Sequence, residues 1–226
     1  MTRYDMKLYH DMKNDNLFEC LSKFKYSDDE NKLQEEFVKL APAFLFGGYI
    51  NVRDEFRIYI RTVEFYCHSE RPEGVHDPIV YHRNGRYLDA VPYFPLMTLH
   101  AHNSGFDITF ENQSESYRAS VLIRAYEVVD KNGRFLKWVS ANQRFERCKD
   151  YCFNTQSTYL YSLLNGFVLG EENDVRWVDS PFGSKSSFSV NARKGVYVSE
   201  SELEYKPVEP KVKCNRMWSF TRNSKI

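Results

Sequence analysis

The chain has 226 residues, enough for one domain that buries about 70% of its unfolded surface. Its hydrophobic fraction of 42% and aromatic fraction of 16% argue against disorder. Its 31 Lys and Arg against 31 Asp and Glu argue against reliance on a broad phosphate-binding surface, although a local basic patch is compatible with a neutral total.

Residues 1–30 are polar and read as a lead-in segment, a helix or an arm, with 31–226 as the main domain. Asp28 or Asp29 can cap a helix from about Glu30, with Leu33, Phe37, Leu40, Ala41, Phe44 and Leu45 on its apolar side. Pro42 predicts a kink or a break in that helix, and Gly47-Gly48 ends it. Strand signals follow at 49–53, 56–67, 95–101, 105–111 and 119–129. Asn103-Ser104-Gly105 and Lys131-Asn132-Gly133-Arg134 read as turns. The stretch 68–94 lacks periodicity and is a loop long enough to suggest function. A helix is expected over 150–166, short strands at 175–178, 195–198 and 217–221, and a charged connection from Glu200 to Lys213. The 16 Tyr and 17 Phe favour strand. The expected fold is one α+β domain with a curved, mostly antiparallel sheet and flanking helices.

The five cysteines, Cys20, Cys67, Cys148, Cys152 and Cys214, are odd in number and scattered, so no disulfide framework is indicated. No stretch approaches the ~20 apolar residues of a membrane span, and the first residues do not resemble a signal peptide. A soluble, cytoplasmic protein with no membrane partner is the expectation.

Two strand-like runs carry the chemistry. Ile58 to Tyr66 alternates and delivers Glu64 beside Tyr66. By alternation Glu64 shares a face with Ile58, Ile60 and Thr62, and a carboxylate on a buried face needs a partner. Ala119 to Val128 carries Arg124 amid apolar residues and supplies a candidate. The pair is either a structural ion pair or a carboxylate that polarises a water, with the arginine fixing it. Five of the six histidines fall between 68 and 102, and His68, His76, His82, His100 and His102 leave a metal-dependent hydrolase as a further alternative. Cys148 and Cys152 are one helical turn apart and read as structural.

The order of these segments resembles the alkyladenine (3-methyladenine) DNA glycosylase family. Phe37 to Gly47 is similar to that family's opening helix, Ile60 to Tyr66 to its Ile-Val-Glu-x-Glu-Ala-Tyr motif, and Ala119 to Glu127 to its Val-Leu-Leu-Arg-Ala-x-Glu strand. Val75-His76-Asp77, Tyr81-His82-Arg83-Asn84, Val175-Arg176-Trp177, Arg193-Lys194-Gly195-Val196 and Trp218-Ser219-Phe220 follow in the family's order, so the likeness spans about 33–226. The resemblance implies a glycosylase-like domain that hydrolyses the N-glycosidic bond of a modified purine flipped out of duplex DNA, with no cofactor and no metal. It implies that Glu64 is the general base, that Arg124 holds the water, and that Tyr66 and His76 contact the flipped base. His100 falls at about the family's wedge tyrosine, Met97 at a stacking tyrosine, and Asp107 at a pocket-floor asparagine. These departures, the single Glu64 in place of a Glu-x-Glu pair and the neutral charge favour an alternative, a non-catalytic nucleic-acid or nucleotide binding protein of the same fold. A basic rim around Glu64 from Arg61, Arg71, Arg83, Arg86 and Lys194 would favour DNA docking.

Overall fold

The computed structural model describes residues 2–4, 16–86, 88–102, 105–139, 168–182, 187–199 and 211–224. In chain order these form β1 (Thr2–Tyr4), α1 (Leu17–Ser22), α2 (Glu30–Phe46), β2 (Gly48–Val52), β3 (Phe56–Ser69), β4 (Leu99–His102), β5 (Gly105–Thr109), β6 (Tyr117–Asp130), β7 (Phe135–Val139), β8 (Val175–Asp179), β9 (Phe188–Asn191), β10 (Tyr197–Ser199), β11 (Lys211–Lys213) and β12 (Ser219–Arg222). The fold is α+β, with a curled antiparallel sheet in the order β1-β9-β12-β3-β6-β5-β4. To this sheet β2 adds on β3, β8 on β2 and β7 on β6, while β10 and β11 form a separate ribbon. Among the described residues no helix is long and apolar enough to cross a membrane.

The two 14-residue strands β3 and β6 form the spine. Each changes its outer neighbour halfway along. β3 pairs with β2 through residues 56–58 and with β12 through 62–64. β6 pairs with β7 through residues 126–129 and with β5 through 120–122. Between these halves the β3–β6 ladder is irregular. Its register runs Ile60↔Tyr126, Thr62↔Ala125, Val63↔Ile123, so Arg61 and Arg124 are each left without a ladder partner. Such a bulge bends the strands and raises their twist, which lets the sheet curl.

The bulge corrects the expected face of Glu64. Ile58, Ile60, Val63, Phe65 and Cys67 all enter one apolar core, so the inward positions change from even to odd between Ile60 and Val63. Glu64 therefore faces away from Ile58 and Ile60. Strict alternation across residues 58–66 fails because each strand carries one extra residue at that point.

The helix α2 covers the apolar face. Asp29 caps it, accepting from the backbone N–H of Asn31 at 2.8 Å. Phe37 stacks on Phe65 with ring centroids 4.6 Å apart, and Phe44 meets the same ring edge-on at 6.0 Å. The helix runs through Pro42 without a break. A mid-helix proline costs about 3 kcal/mol, and burial of Leu40, Ala41 and Ala43 to Phe46 against the sheet offsets it. Residues 16–24 belong to the same core: Asn16 and Glu19 form a capping box on α1, and Leu17, Cys20, Leu21 and Phe24 are buried with α2. The strands β1, β7, β9 and β11 do not show in the sequence pattern. The expected helix over 150–166, with Cys148 and Cys152, lies outside the described residues, as does the Asn103-Ser104 tip of the expected turn.

Phe65 also contacts the rings of Phe110 and Phe220, at 6.2 and 5.3 Å. Phe65→Ala is expected to lower stability by about 3–5 kcal/mol. The check is a urea titration, with a lower midpoint and an unchanged slope expected. A loss under about 1 kcal/mol would place the stabilising core elsewhere.

Candidate active site

The other face of the spine is polar and is covered by irregular chain instead of a helix. Glu64, Tyr66 and His68 on β3 project from it beside Arg118, Ser120 and Leu122 on β6, their cross-strand partners. The segment 70–98, most of which was expected as a long loop, lies over this face and buries Val75, His76, Asp77, Val80 and His82. Arg118 fastens its far part, donating to the Val91 carbonyl at 2.5 Å and the Pro92 carbonyl at 2.9 Å, and pairing with Glu70 and Glu111.

The near part is fastened by Asp77 and Arg193, both with no exposed side-chain surface. The Arg193 guanidinium donates to both carboxylate oxygens, at 2.5 and 3.1 Å, and to the Phe65 carbonyl at 3.2 Å. It lies over the rings of Tyr66, 4.4 Å from the centroid, and Trp218, at 5.2 Å. Burial alone would raise the Asp77 carboxyl, but Arg193, through charge and hydrogen bonds, and then Arg216 hold it below the usual carboxylate range. The Asp77 backbone N–H donates to His68 Nδ1 at 3.0 Å, which fixes that nitrogen as an acceptor.

Glu64 is 1% exposed and held within this frame. Its Oε1 accepts from the Lys194 backbone N–H at 3.0 Å. Its Oε2 accepts from the Tyr66 hydroxyl at 3.0 Å and lies 3.3 Å from Arg124 Nε. Burial and the neighbouring Glu64 charge push the Tyr66 phenol well above its ordinary range, so it stays a donor. The turn that presents the Lys194 N–H passes through Gly195 at φ +72°, a conformation open to glycine at little cost.

Tyr66, Arg124 and Lys194 line a cavity of about 210 Å³, together with Ile79, Tyr81, Arg86, Asp107, Leu122, Gly195, Val196 and Tyr197. That volume is below the ~300–1,000 Å³ of drug-sized sites and suits one flat ring system. Glu64 stands one contact back, hydrogen-bonded to Tyr66 and to the Lys194 backbone and ion-paired with Arg124. Three cations, Arg86, Arg124 and Lys194, face one carboxylate, Asp107, so the cavity is basic although the chain is neutral. Tyr197, 58% exposed, stands at its mouth.

Of the residues singled out from sequence, the fold brings together Glu64, Tyr66, Arg124 and Asp107. It does not bring His76, Met97 or His100 to the cavity. His76 packs beside His68 and places Nε2 2.9 Å from the Pro72 carbonyl. Met97 is buried in the apolar core at φ +63°, before β4 begins. His100 lies half-buried beside Phe94 and His82, with ring centroids 5.2 and 6.0 Å away. Four of the histidines thus divide into two pairs, and among the described residues no group of three or more His, Cys, Asp or Glu is placed to hold a metal. Of the five basic residues expected at the rim, Arg86 and Lys194 reach it. Arg61 pairs with Glu127, Arg71 with Asp28, and Arg83 bonds the Pro78 carbonyl. Sequence reasoning missed Asp77 and Arg193 as the anchor, and Ser120, Tyr81 and Leu122 as neighbours of the site. No local pattern marks them. No protein-family model, curated protein or solved structure matches this chain.

Breaking the anchor leaves one buried charge alone. Asp77→Asn is expected to cost about 3–5 kcal/mol, read as a lowered urea midpoint. Asp77→Asn with Arg193→Met should be less destabilised than Asp77→Asn alone, and a strictly additive double variant would refute coupling.

The pH dependence separates two groups. Burial and the nearby Arg83 charge lower His68 from 6.5 to about 3. Below pH 6.5 the unfolded chain binds a proton there that the folded chain refuses, so stability falls from pH 6.5 toward 3. Asp77, held below 3.8, contributes stability that is present above that value and is lost as pH falls through its folded value. In His68→Asn, whose amide oxygen can replace Nδ1 as acceptor, the decline in Tm between pH 6.5 and 4 should flatten while the decline at lower pH persists. An unchanged Tm profile would clear His68 of that role.

Proposed function

We propose that the cavity takes up a flat, nucleobase-sized heterocycle and that Glu64, with Arg124, activates a water to hydrolyse its N-glycosidic bond. This is the activity of a DNA glycosylase acting on a modified purine flipped from a duplex. The observation that carries the reading is the carboxylate of Glu64, nearly inaccessible, aimed by two hydrogen-bond donors and the Arg124 charge and set against the wall of a base-sized cavity. A carboxylate offers about four lone-pair directions. The Lys194 N–H and the Tyr66 hydroxyl occupy two, Arg124 lies 3.3 Å from Oε2 as an ion-pair partner, and the remaining directions can accept from a water.

In the reaction that water gives a proton to Glu64 as its oxygen bonds the sugar C1′. The C1′–N bond breaks and its electron pair leaves with the base. Arg124 holds the attacking oxygen on the cavity side, and the aromatic faces of Tyr66 and Tyr81 offer surface for the ring. Arg86 and Lys194 supply the local positive charge that a phosphate backbone needs. Unstacking the target costs a few kcal/mol, least for a damaged pair.

A second reading has its own support. Glu64 does not itself line the cavity, as expected of an internal ion pair in a protein that binds a base or nucleotide without cleaving it. One experiment separates the two. Single-turnover excision is followed on duplex oligonucleotides carrying hypoxanthine, ethenoadenine or alkylated purines at low salt, with wild type beside Glu64→Gln. Hydrolysis predicts excision by wild type and a loss of at least ~100-fold in the variant, with DNA binding retained. The binding-protein reading predicts no excision by either, and a lower Tm for Glu64→Gln.

A further inference from the structure

Lys194 contributes more to this site than the backbone N–H that holds Glu64. Its position is fixed from both sides. Arg193 before it has no exposed side-chain surface, and Val196 after it is buried and accepts from the Cys214 N–H at 3.0 Å. Gly195 between them turns the chain at φ +72°. Lys194 itself is exposed and lines the cavity. Among the described residues its ammonium has no hydrogen bond or ion pair, so no scaffold partner competes for it.

One distance sets its reach. The Lys194 backbone nitrogen stands 3.0 Å from Glu64 Oε1. A water activated by that carboxylate lies about 3 Å beyond it, and the carbon under attack about 3–3.5 Å beyond the water. The four-carbon lysine stem spans about 6 Å. The amine and the carboxylate therefore reach the same sugar carbon. A lysine amine condenses with carbonyl groups. Removal of a base leaves one at that carbon, because the abasic sugar opens to an aldehyde at C1′.

We propose that Lys194 is a second nucleophile and that the protein cleaves the DNA strand at abasic sites by β-elimination. This rests on the cavity being a site where the sugar of a flipped nucleotide meets Glu64, as proposed above. It does not require that this chain remove the base, so a preformed abasic site tests it separately from excision. The Lys194 ammonium gives a proton to Glu64, and the amine adds to C1′ of the open sugar, passing a proton to the former carbonyl oxygen. Glu64 returns its proton to that hydroxyl, which leaves as water, and a protonated imine joins Lys194 to C1′. Glu64 then takes a proton from C2′ and passes it to solvent. The C3′–O bond breaks, and its electron pair leaves with the 3′ phosphate. Water hydrolyses the remaining imine, which restores the ammonium and leaves an unsaturated aldehyde. No net oxidation or reduction occurs.

The experiment incubates the full chain with a duplex oligonucleotide carrying one preformed abasic site, with and without sodium cyanoborohydride, which reduces a protein–DNA imine to a permanent amine link. Wild type should cut the strand on the 3′ side of the site without the reductant and form a covalent adduct with it. Peptide mass spectrometry should place the link on Lys194. Lys194→Arg keeps a positive charge and removes the primary amine. Adduct and cleavage should fall to background at protein concentrations that saturate a duplex carrying the tetrahydrofuran analogue, which has no aldehyde. If Lys194→Arg does not fold, the position of the link in wild type carries the test. No adduct with wild type, a link on another residue, or cleavage that survives in Lys194→Arg would overturn the role of Lys194 and leave the hydrolase reading to the excision assay. Failure of wild type to bind the tetrahydrofuran duplex would overturn both.

Discussion

Two full charges removed from water, Asp77 and Arg193, constrain everything on the polar face of this sheet. Isolated, either charge would cost several kcal/mol to bury. Together they are tolerated because the guanidinium finds both carboxylate oxygens, a main-chain carbonyl and two aromatic faces. Those partners come from the loop after β3, from β3 itself and from the residue just before β12. The pair therefore fixes how three distant segments meet. The Lys194 N–H that holds Glu64 follows directly after Arg193, and the Tyr66 ring that donates to Glu64 lies under the same guanidinium. The candidate site is thus an appendage of this ion pair.

The two faces of the sheet solve burial differently. On the apolar face α2 supplies a regular stripe, and Phe37, Phe44, Phe65 and Phe220 interlock with nothing to hydrogen-bond. On the polar face an irregular segment must satisfy its own backbone groups, and buried arginines donate to its carbonyls. Arg118 bonds Val91 and Pro92, and Arg216 bonds His76. Each such arginine also meets a carboxylate, Arg118 meeting Glu70 and Glu111, and Arg216 meeting Glu30. This arrangement explains how a neutral chain can present a basic cavity: many of its charges cancel in the scaffold, and Arg86 and Lys194 are among the residues that line the cavity.

The sequence made legible whatever depends on local order. The spine strands showed in their runs of Val, Ile and Tyr, and α2 showed in its spacing and in the Asp29 cap. Glu64 and Arg124 stood out as charges inside apolar runs, and the fold brings them within 3.3 Å. The rest depends on distance along the chain. Asp77 and Arg193 are 116 residues apart, and neither sits in a pattern that names the other. The histidines misled because closeness in sequence was taken for closeness in space. The sheet separates four of them instead into a pair at His68 and His76 and another at His82 and His100. Met97 was aligned as a strand residue, but its positive φ takes it out of the strand and into the core.

The two spine residues left without ladder partners are both arginines. Arg61 serves buried Glu127, and Arg124 serves buried Glu64. Suppose both were deleted. Ile60, Thr62, Val63 and Glu64 would then alternate regularly against Tyr126, Ala125, Ile123 and Leu122, with every other side chain on its present face. The bulge is thus equivalent to a matched pair of one-residue insertions in an ordinary two-strand ladder. Losing one alone would slide half the sheet out of phase; losing both would return a plain scaffold with an unneutralised carboxylate. In this molecule the Glu64–Arg124 pair and the regular phase of the sheet are linked through two residues, and the phase survives only if both are present or both are absent.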